Sequence, residues 1–297
     1  DQGAELIALP ENFAYLRREG TDIPCAQSLE GEIVGALREW AARHRIWLVG
    51  GTFHEAVPGD TRVHNTSVAI SPRGEIVAVY RKIHLFDVDL SAQGGQVYRE
   101  SERVAPGSTV ASFETPAGVV GLSVCYDVRF PELYRSLALR DARFLCVPAA
   151  FARETGRDHW EVLLRARAIE NLCHVVAPAQ SGFHENGRET HGDSMIVDCW
   201  GRVLARLPRG TGVVVGEIDL DAFARARGRL EHRAHPRAAR RHVGRVVQHH
   251  VLPPHEQLRD VRPDDRRRRR QRAALRRQGR RRGVRALERR LRRLLRA

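Results

Sequence analysis

The feature that most constrains the fold is the stretch 121–134, in which an apolar run ends at a cysteine, Cys125. Pro131 follows six residues later and opens a pattern typical of a helix with proline in its first turn. The stretch therefore predicts a strand, a turn that carries Cys125, and a helix. A side chain on such a turn lies at the rim of a sheet, beside the backbone N–H groups of the helix start.

Two interpretations of Cys125 follow from this geometry. A cysteine on such a turn can act as a nucleophile, because the neighbouring N–H groups can bind a developing oxyanion. A free cysteine is also a common small residue of protein cores. The stretch by itself leaves both interpretations open.

The rest of residues 1–229 alternates between helix and strand patterns. Amphipathic spacing predicts helices over 29–44, 131–140 and 158–172, and a short helix from Leu220. Apolar runs bounded by turn residues predict strands over 5–9, 46–53, 65–71, 75–80, 109–115, 119–124, 143–148, 174–180, 194–198 and 212–218. Residues 91–107 lack periodicity and are predicted as a loop. This alternation indicates an α/β domain of layered, mixed sheets.

Charge and composition divide the chain in two. Residues 230–297 contain 24 arginines and six acidic residues, whereas the whole chain has a net charge of +14, so residues 1–229 are mildly acidic. We therefore expect a folded domain over 1–229 and a disordered Arg-rich tail over 230–297, which has too few large apolar residues for a core. The tail consists only of residue types that codons beginning with G or C encode, which favours a frame-shifted translation. The alternative is a genuine basic tail that binds nucleic acid nonspecifically through phosphates.

Four polar residues stand at predicted strand ends or in adjoining loops: Glu11, Lys82, Glu100 and Cys125. Lys82 is the only lysine among 50 basic residues, and a compact ammonium approaches a reacting atom more closely than a guanidinium does. Each also has an ordinary interpretation, as a helix cap, a solvated strand end, an acid of a polar loop or a buried thiol. The residues Asp127, Arg129 and Glu132 are interpreted as ion-pair or capping partners of the turn, with substrate contact as the alternative for one of them.

Together, the stretches around these four residues resemble the carbon–nitrogen hydrolases of the nitrilase superfamily. The matching stretches are 6–13, 80–87, 98–101 and 121–133, in the family's order, and further similarity runs through 159–171 and 192–201. The resemblance covers about residues 1–229. Cys-Tyr-Asp at 125–127 is similar to the amidase branch, since true nitrilases usually carry Cys-Trp-Glu there. Residues 84–87 and 129–133 most resemble the Nit-type amidases that act on deaminated glutathione.

The resemblance implies a fold and a set of catalytic residues. The fold is an α-β-β-α sandwich whose first strand and helix are missing here, so we expect an open sheet edge, and family members pair through helices as homodimers. Cys125 is implied as the nucleophile and Glu11 as the general base. Lys82 and the backbone N–H of Tyr126 are implied as oxyanion donors, and Glu100 as the residue that positions substrate and lysine. Because carboxylates oppose thiolate formation, we expect proton transfer coupled to attack.

The implied reaction is hydrolysis of a small carboxylate-bearing amide, such as deaminated glutathione or a similar ω-amide, to acid and ammonia through a thioester. An N-carbamoyl amino-acid hydrolase, with the same four residues, is the enzymatic alternative. No metal or organic cofactor is expected. Five cysteines without framework spacing, and no apolar run of membrane-spanning length, predict a cytoplasmic protein that does not insert into membranes.

Overall fold

The computed structural model describes residues 3–17, 21–184, 188–230 and 243–250. In this part of the chain the α-helices are α1 (Glu32–His44), α2 (Pro131–Ala138), α3 (Arg153–Asn171) and α4 (Leu220–Leu230). The strands are β1 (Leu6–Ala8), β2 (Trp47–Val49), β3 (Phe53–Ala56), β4 (Val63–Ile70), β5 (Ile76–Arg81), β6 (Asp87–Asp89), β7 (Val97–Arg99), β8 (Ser112–Thr115), β9 (Gly118–Leu122), β10 (Ala142–Cys146), β11 (His174–Ala177), β12 (Ser181–Phe183), β13 (Glu189–His191), β14 (Ser194–Val197), β15 (Val203–Leu207), β16 (Gly212–Asp219) and β17 (Val243–His250). Short 3-10 turns span Ser91–Gln93, Glu100–Glu102 and Cys125–Arg129. None of the described helices is long and apolar enough to cross a bilayer.

Two mixed sheets organise the described residues. The β1 sheet has the strand order β16-β17-β1-β2-β4-β3, and β5 also pairs with β4. The β10 sheet has the order β15-β14-β11-β10-β9-β8. Strand β1 runs parallel to β2 and β17, and β10 runs parallel to β9 and β11. Two hairpins, β6–β7 and β12–β13, lie outside both sheets.

The two sheets share one hydrophobic core. Leu6 and Tyr80 of the β1 sheet belong to the same buried cluster as Val120 and Leu145 of the β10 sheet. Helix α1 contacts β2 and β4, whereas α2 contacts β9 and β10, and α3 contacts β11 and β14. The layers are therefore helix, sheet, sheet and helix, which confirms the predicted sandwich.

The strand predicted over 46–53 is in fact two strands, β2 and β3. The chain turns between them at Gly51, whose φ of +57° is a left-handed conformation that a strand does not contain. A Cβ atom at Gly51 would lie only 2.2 Å from the carbonyl oxygen of Pro10. Glycine thus permits a sharp bend and a close approach to the segment that follows β1.

Other boundaries differ because periodicity was weak. Helix α3 begins at Arg153 rather than at residue 158, since its first turns are polar and show no apolar repeat. The predicted loop over 91–107 contains β7 and two complete 3-10 turns. Strands β6, β12, β13 and β15 were not predicted; β6, β12 and β13 have only three residues each, too few for an alternating pattern.

The expectation of disorder throughout the tail is wrong for residues 243–250. These residues form β17, which lies between β1 and β16. Its register runs from Val243 opposite Asp219 to His250 opposite Gly212, and it pairs with β1 along Leu6–Ala8. Three valines give this segment a β propensity that the overall composition conceals. The edge of β1 expected to be open is occupied by β17, while residues 231–242 and 251–297 lie outside the described part.

Candidate active site

The four residues singled out from the sequence all follow strands and meet in one pocket. Lys82 and Glu100 come directly after β5 and β7, and Glu11 and Cys125 come three residues after β1 and β9. All four line a pocket of about 590 Å³, measured out to its open mouth. The pocket therefore combines side chains from strand ends of both sheets, and Tyr126 also lines it.

Lys82 is buried between two glutamates. Its Nζ lies 3.1 Å from Glu11 Oε1, and 3.1 and 2.9 Å from Oε1 and Oε2 of Glu100. Burial disfavours the ammonium, but the charges of Glu100 and Glu11 outweigh burial and hold the pKa of Lys82 well above its usual value. Lys82 is therefore a cation at neutral pH.

Glu11 is a buried carboxylate with donors on both oxygens. Besides Lys82, Asn65 Nδ2 donates to Oε1 at 2.8 Å, and the backbone N–H of Ala150 donates to Oε2 at 2.7 Å. Burial raises the pKa of Glu11, but the charge of Lys82 and hydrogen bonds from Cys125, Lys82 and Asn65 outweigh it, so the pKa lies below its usual 4.5. Glu11 is thus ionised at neutral pH and able to accept a proton.

Cys125 opens a 3-10 turn with a φ of +48°, a strained value for a residue with a side chain. Its backbone N–H donates to the carbonyl of Pro148 at 2.9 Å, which fixes the turn. Burial and the nearby charge of Glu11 raise the pKa of the Cys125 thiol well above its usual value, although Lys82 acts in the opposite direction. The side chain of Cys125 is therefore a thiol at neutral pH, hydrogen-bonded to the carboxylate of Glu11.

Asp127 joins the turn of Cys125 to the segment that carries Lys82. Its carboxylate accepts hydrogen bonds from the backbone N–H of Val124 at 2.8 Å and from the hydroxyl of Tyr80 at 2.7 Å. His84 adds its backbone N–H at 3.0 Å and its Nδ1 at 2.8 Å. This is the capping and ion-pair role that the sequence indicated for Asp127.

Asn65 is a site residue that the sequence did not identify. Its Nδ2 donates to Glu11 Oε1 at 2.8 Å and to Glu100 Oε1 at 3.3 Å, so it holds the two carboxylates in place from strand β4. One signal for this role was present in the sequence: Asn65 is a polar, hydrogen-bonding residue within a strand predicted to be buried.

The remaining walls of the pocket are aromatic and cationic. Phe86, Tyr98 and Phe151 line it, together with two arginines that the sequence did not single out, Arg17 and Arg188. No signal distinguished these two arginines in a chain so rich in that residue. Arg129 lies with its Cζ 5.7 Å from the ring centre of Tyr126 and 5.1 Å from that of Phe151.

Comparison with known proteins identifies the family. Residues 1–227 match the family model of the carbon-nitrogen hydrolases. This chain belongs to the carbon–nitrogen hydrolase family. The family resemblance of the sequence is thereby confirmed, and the protein is an enzyme that hydrolyses amides.

Three relatives illustrate the similarity of this hydrolase. A deaminated glutathione amidase of Synechocystis is 44% identical over 238 residues, which are 78% of this chain and 87% of that protein. The crystal structure of the Caenorhabditis elegans NitFhit protein has a TM-score of 0.68 and 40% identity, over 77% of this chain and 57% of that one. An amidase variant from Nesterenkonia sp. AN1, with acrylamide added at its active-site cysteine, has a TM-score of 0.63 and 27% identity, over 77% and 85% of the two chains.

Proposed function

We propose that this carbon–nitrogen hydrolase cleaves a small carboxylate-bearing amide of the deaminated glutathione type through a thioester on Cys125. The observation that carries the proposal is the hydrogen-bonded row of Cys125, Glu11 and Lys82 in a pocket. A thiol, a carboxylate and an ammonium supply the nucleophile, the proton acceptor and the oxyanion partner that amide hydrolysis needs. The 44% identity with a deaminated glutathione amidase supports the choice of substrate.

Acylation begins as Cys125 Sγ attacks the amide carbonyl carbon and its proton passes to Glu11. The carbonyl oxygen becomes an oxyanion, which Lys82 Nζ and the backbone N–H of Tyr126 bind. The N–H of Tyr126 suits this role because the first N–H groups of a helical turn lack intrahelical acceptors. Glu11 then gives the proton to the leaving nitrogen, the C–N bond breaks, and the acyl group remains on sulfur. Glu100 holds Lys82 in position throughout.

Deacylation uses the same groups with water as the nucleophile. Glu11 accepts a proton from the water as its oxygen attacks the thioester carbonyl, and Lys82 again binds the oxyanion. The C–S bond breaks, the sulfur of Cys125 recovers a proton, and the carboxylic acid leaves. One water is consumed for each amide cleaved, and no redox step occurs.

The leaving group depends on the amide. A primary ω-amide releases ammonia, as expected from the sequence. The scissile bond of deaminated glutathione is a peptide-type amide, so the expectation of ammonia is wrong for this substrate, and its hydrolysis releases cysteinylglycine. An assay of ammonia alone therefore does not detect cleavage of this substrate, and the acid product has to be measured.

The test is release of 2-oxoglutarate by the purified chain from deaminated glutathione and from α-ketoglutaramate, with release of amino acid from an N-carbamoyl amino acid as the third arm. We expect the first substrate to have the largest kcat/KM and Cys125→Ala to abolish turnover. Faster cleavage of the N-carbamoyl compound would favour the alternative function. Activity that survives Cys125→Ala contradicts the thioester mechanism.

We further propose that the enzyme forms a homodimer through the outer face of α3. Val162 and Ile169, seven residues apart on this helix, are 66% and 50% exposed. Trp200 is also 50% exposed and precedes Gly201, which lies against Ile169. Apolar side chains on one face are typical of a protein interface. Val162→Asp should shift the sedimentation coefficient to that of a monomer, whereas Val77→Asp, at an exposed valine of β5, should not. A monomeric parent chain contradicts the proposal.

A cytoplasmic location is supported by the five cysteines, all of which are free. Nonspecific binding of nucleic acid by the arginine-rich tail stays a prediction, and most of the tail lies outside the described residues.

A further inference from the structure

The base of the pocket carries more negative charge than its lysine neutralises. Glu11 and Glu100 share a single ammonium, that of Lys82. The excess negative charge repels a substrate that carries a carboxylate. Such a substrate needs cations elsewhere in the same pocket, and the described lining supplies two, Arg17 and Arg188.

Arg188 is held close to the catalytic base. Its Nη2 donates to the carbonyl of Ala150 at 3.3 Å, and the N–H of that same residue donates to Glu11 Oε2 at 2.7 Å. The guanidinium therefore lies about one peptide unit from Glu11. Its Cζ is 5.3 Å from the ring centre of Tyr98, which is within the distance of a cation–π contact.

The hairpin β12–β13 presents Arg188 to the pocket. The backbone N–H of His184 donates to the carbonyl of Arg188 at 2.7 Å and closes the hairpin loop. The hairpin is in turn attached to the segment that follows β10, because His191 N–H donates to the carbonyl of Phe151 at 2.8 Å and Thr190 forms a β-bridge with Ala152. This anchoring gives Arg188 a fixed place relative to Glu11.

Arg17 brings a second cation from the segment that follows β1. Its side chain is buried, with 8% of the residue exposed, although it carries a full charge. Arg17 also acts on His54, another residue of the pocket. Burial and the positive charge of Arg17 together lower the pKa of His54 to about 4. His54 is therefore neutral at physiological pH, and the cationic side of the pocket consists of the two guanidinium groups.

We propose that Arg17 and Arg188 form a carboxylate-binding subsite that selects anionic amides, an inference that rests on the proposed function. The planar fork of a guanidinium matches a carboxylate through two parallel hydrogen bonds, and the surrounding aromatic wall shields these bonds from water. The carboxylate belongs either to the acyl chain or to the leaving group of the substrate. Both sources present the same chemistry to the subsite.

Three amides distinguish these sources: α-ketoglutaramate, with a carboxylate on the acyl side only; N-butyryl-cysteinylglycine, with a carboxylate on the leaving group only; and butyramide, with none. For Arg17→Gln and Arg188→Gln we expect kcat/KM to fall about 10- to 100-fold, mainly through KM, on one of the two carboxylate substrates. Butyramide hydrolysis should fall much less, because this amide carries no carboxylate for the two arginines to bind. Arg188→Lys should recover part of the loss, since it keeps the charge without the fork.

Each variant is judged by its ratio of kcat/KM between substrates, which does not depend on the folded fraction of the preparation. Arg73→Gln, at a side chain that is 81% exposed, is the matched control and should leave every ratio unchanged. Equal losses on all three amides, or no loss at all, overturn the subsite. A parent enzyme that cleaves none of these amides and no deaminated glutathione overturns the proposed function instead.

Discussion

The two sheets of this hydrolase are completed in different ways. Every strand of the β10 sheet comes from the single stretch between β8 and β15, and this sheet leads into Cys125. The β1 sheet, which leads into Glu11 and Lys82, joins strands from the start of the described chain to β16 and β17, more than 200 residues away in sequence. The proposed nucleophile, Cys125, therefore depends on strands that are nearby in sequence, whereas its proposed proton acceptor, Glu11, depends on long-range pairing.

The largest effect is expected from removing β17. A chain that ends at Leu230 leaves β1 with an unpaired edge beside Glu11, so we expect it to lose activity, while a chain that ends at Leu252 keeps β17 and its activity. Hydrogen exchange should show protection lost from β1 and β16 and retained in β9, β10 and β11. Full activity of the shorter chain contradicts a role for β17 in positioning Glu11.

Lys82→Ala tests the β1 sheet at its catalytic end. Loss of an oxyanion donor should raise the barrier by about 2.7–4 kcal/mol, which lowers kcat roughly 100- to 1000-fold. The matched control is Arg81→Ala at the preceding position, a side chain that is 40% exposed, pairs with the buried Glu55 and does not line the pocket; its turnover should remain. Steady-state kinetics on the same substrate compares the two, and equal losses would argue against a specific role for the ammonium.

Much of the site was visible in the sequence, because Glu11, Lys82 and Cys125 each stand at or just after the end of an apolar run, whereas Glu100 was singled out within a predicted loop. The role of Asn65 was not, since it depends on two carboxylates that are 54 and 35 residues away. Arg17 and Arg188 were concealed by the abundance of arginine. Strand β17 was concealed by the composition of its surroundings, and only its pairing with β1 and β16 reveals it. Local patterns thus predicted strand ends, and long-range contacts determined what meets there.

Asp127→Asn tests the link between the two halves. Asp127 receives only donors, from Val124, Tyr80 and His84, and an amide cannot accept from all of them. We expect the free energy of unfolding to fall by about 1–3 kcal/mol and kcat to fall with it, because the turn of Cys125 loses its attachment to the lysine segment. Asp60→Asn, an exposed aspartate, should change neither quantity. Denaturant melts and kinetics measure both; an Asp127→Asn enzyme with parental kcat would show that the link is only structural.

A smaller effect is expected at Gly51, where the β1 sheet approaches its own catalytic segment. Gly51→Ala combines a φ of +57° with a Cβ atom 2.2 Å from the carbonyl of Pro10, the residue before Glu11. Gly59→Ala has a similar φ of +79° but meets no atom within 4 Å. Both should lose roughly 1 kcal/mol of stability from the backbone conformation, and only Gly51→Ala should lose more and also lower kcat. Equal kcat values in the two variants would mean that the contact at Pro10 does not position Glu11.

The smallest effect is expected from pH. The pKa of Glu11 lies below 4.5, and those of Cys125 and Lys82 lie well above 9.0 and 10.5, so no group of the row titrates between about pH 6 and 8 and kcat/KM should be flat there. Stability should behave differently. The pKa of His54 is lowered from 6.5 to about 4, so the unfolded chain takes up its proton first and stability falls as pH drops from 6.5 towards 4. Between pH 6.5 and about pH 6, thermal melts should therefore show a falling stability while kcat/KM from initial rates stays constant. A rate that instead follows one ionisation near neutrality would indicate a preformed thiolate at Cys125. Activation of Cys125 would then not require proton transfer to Glu11, the residue that the β1 sheet positions.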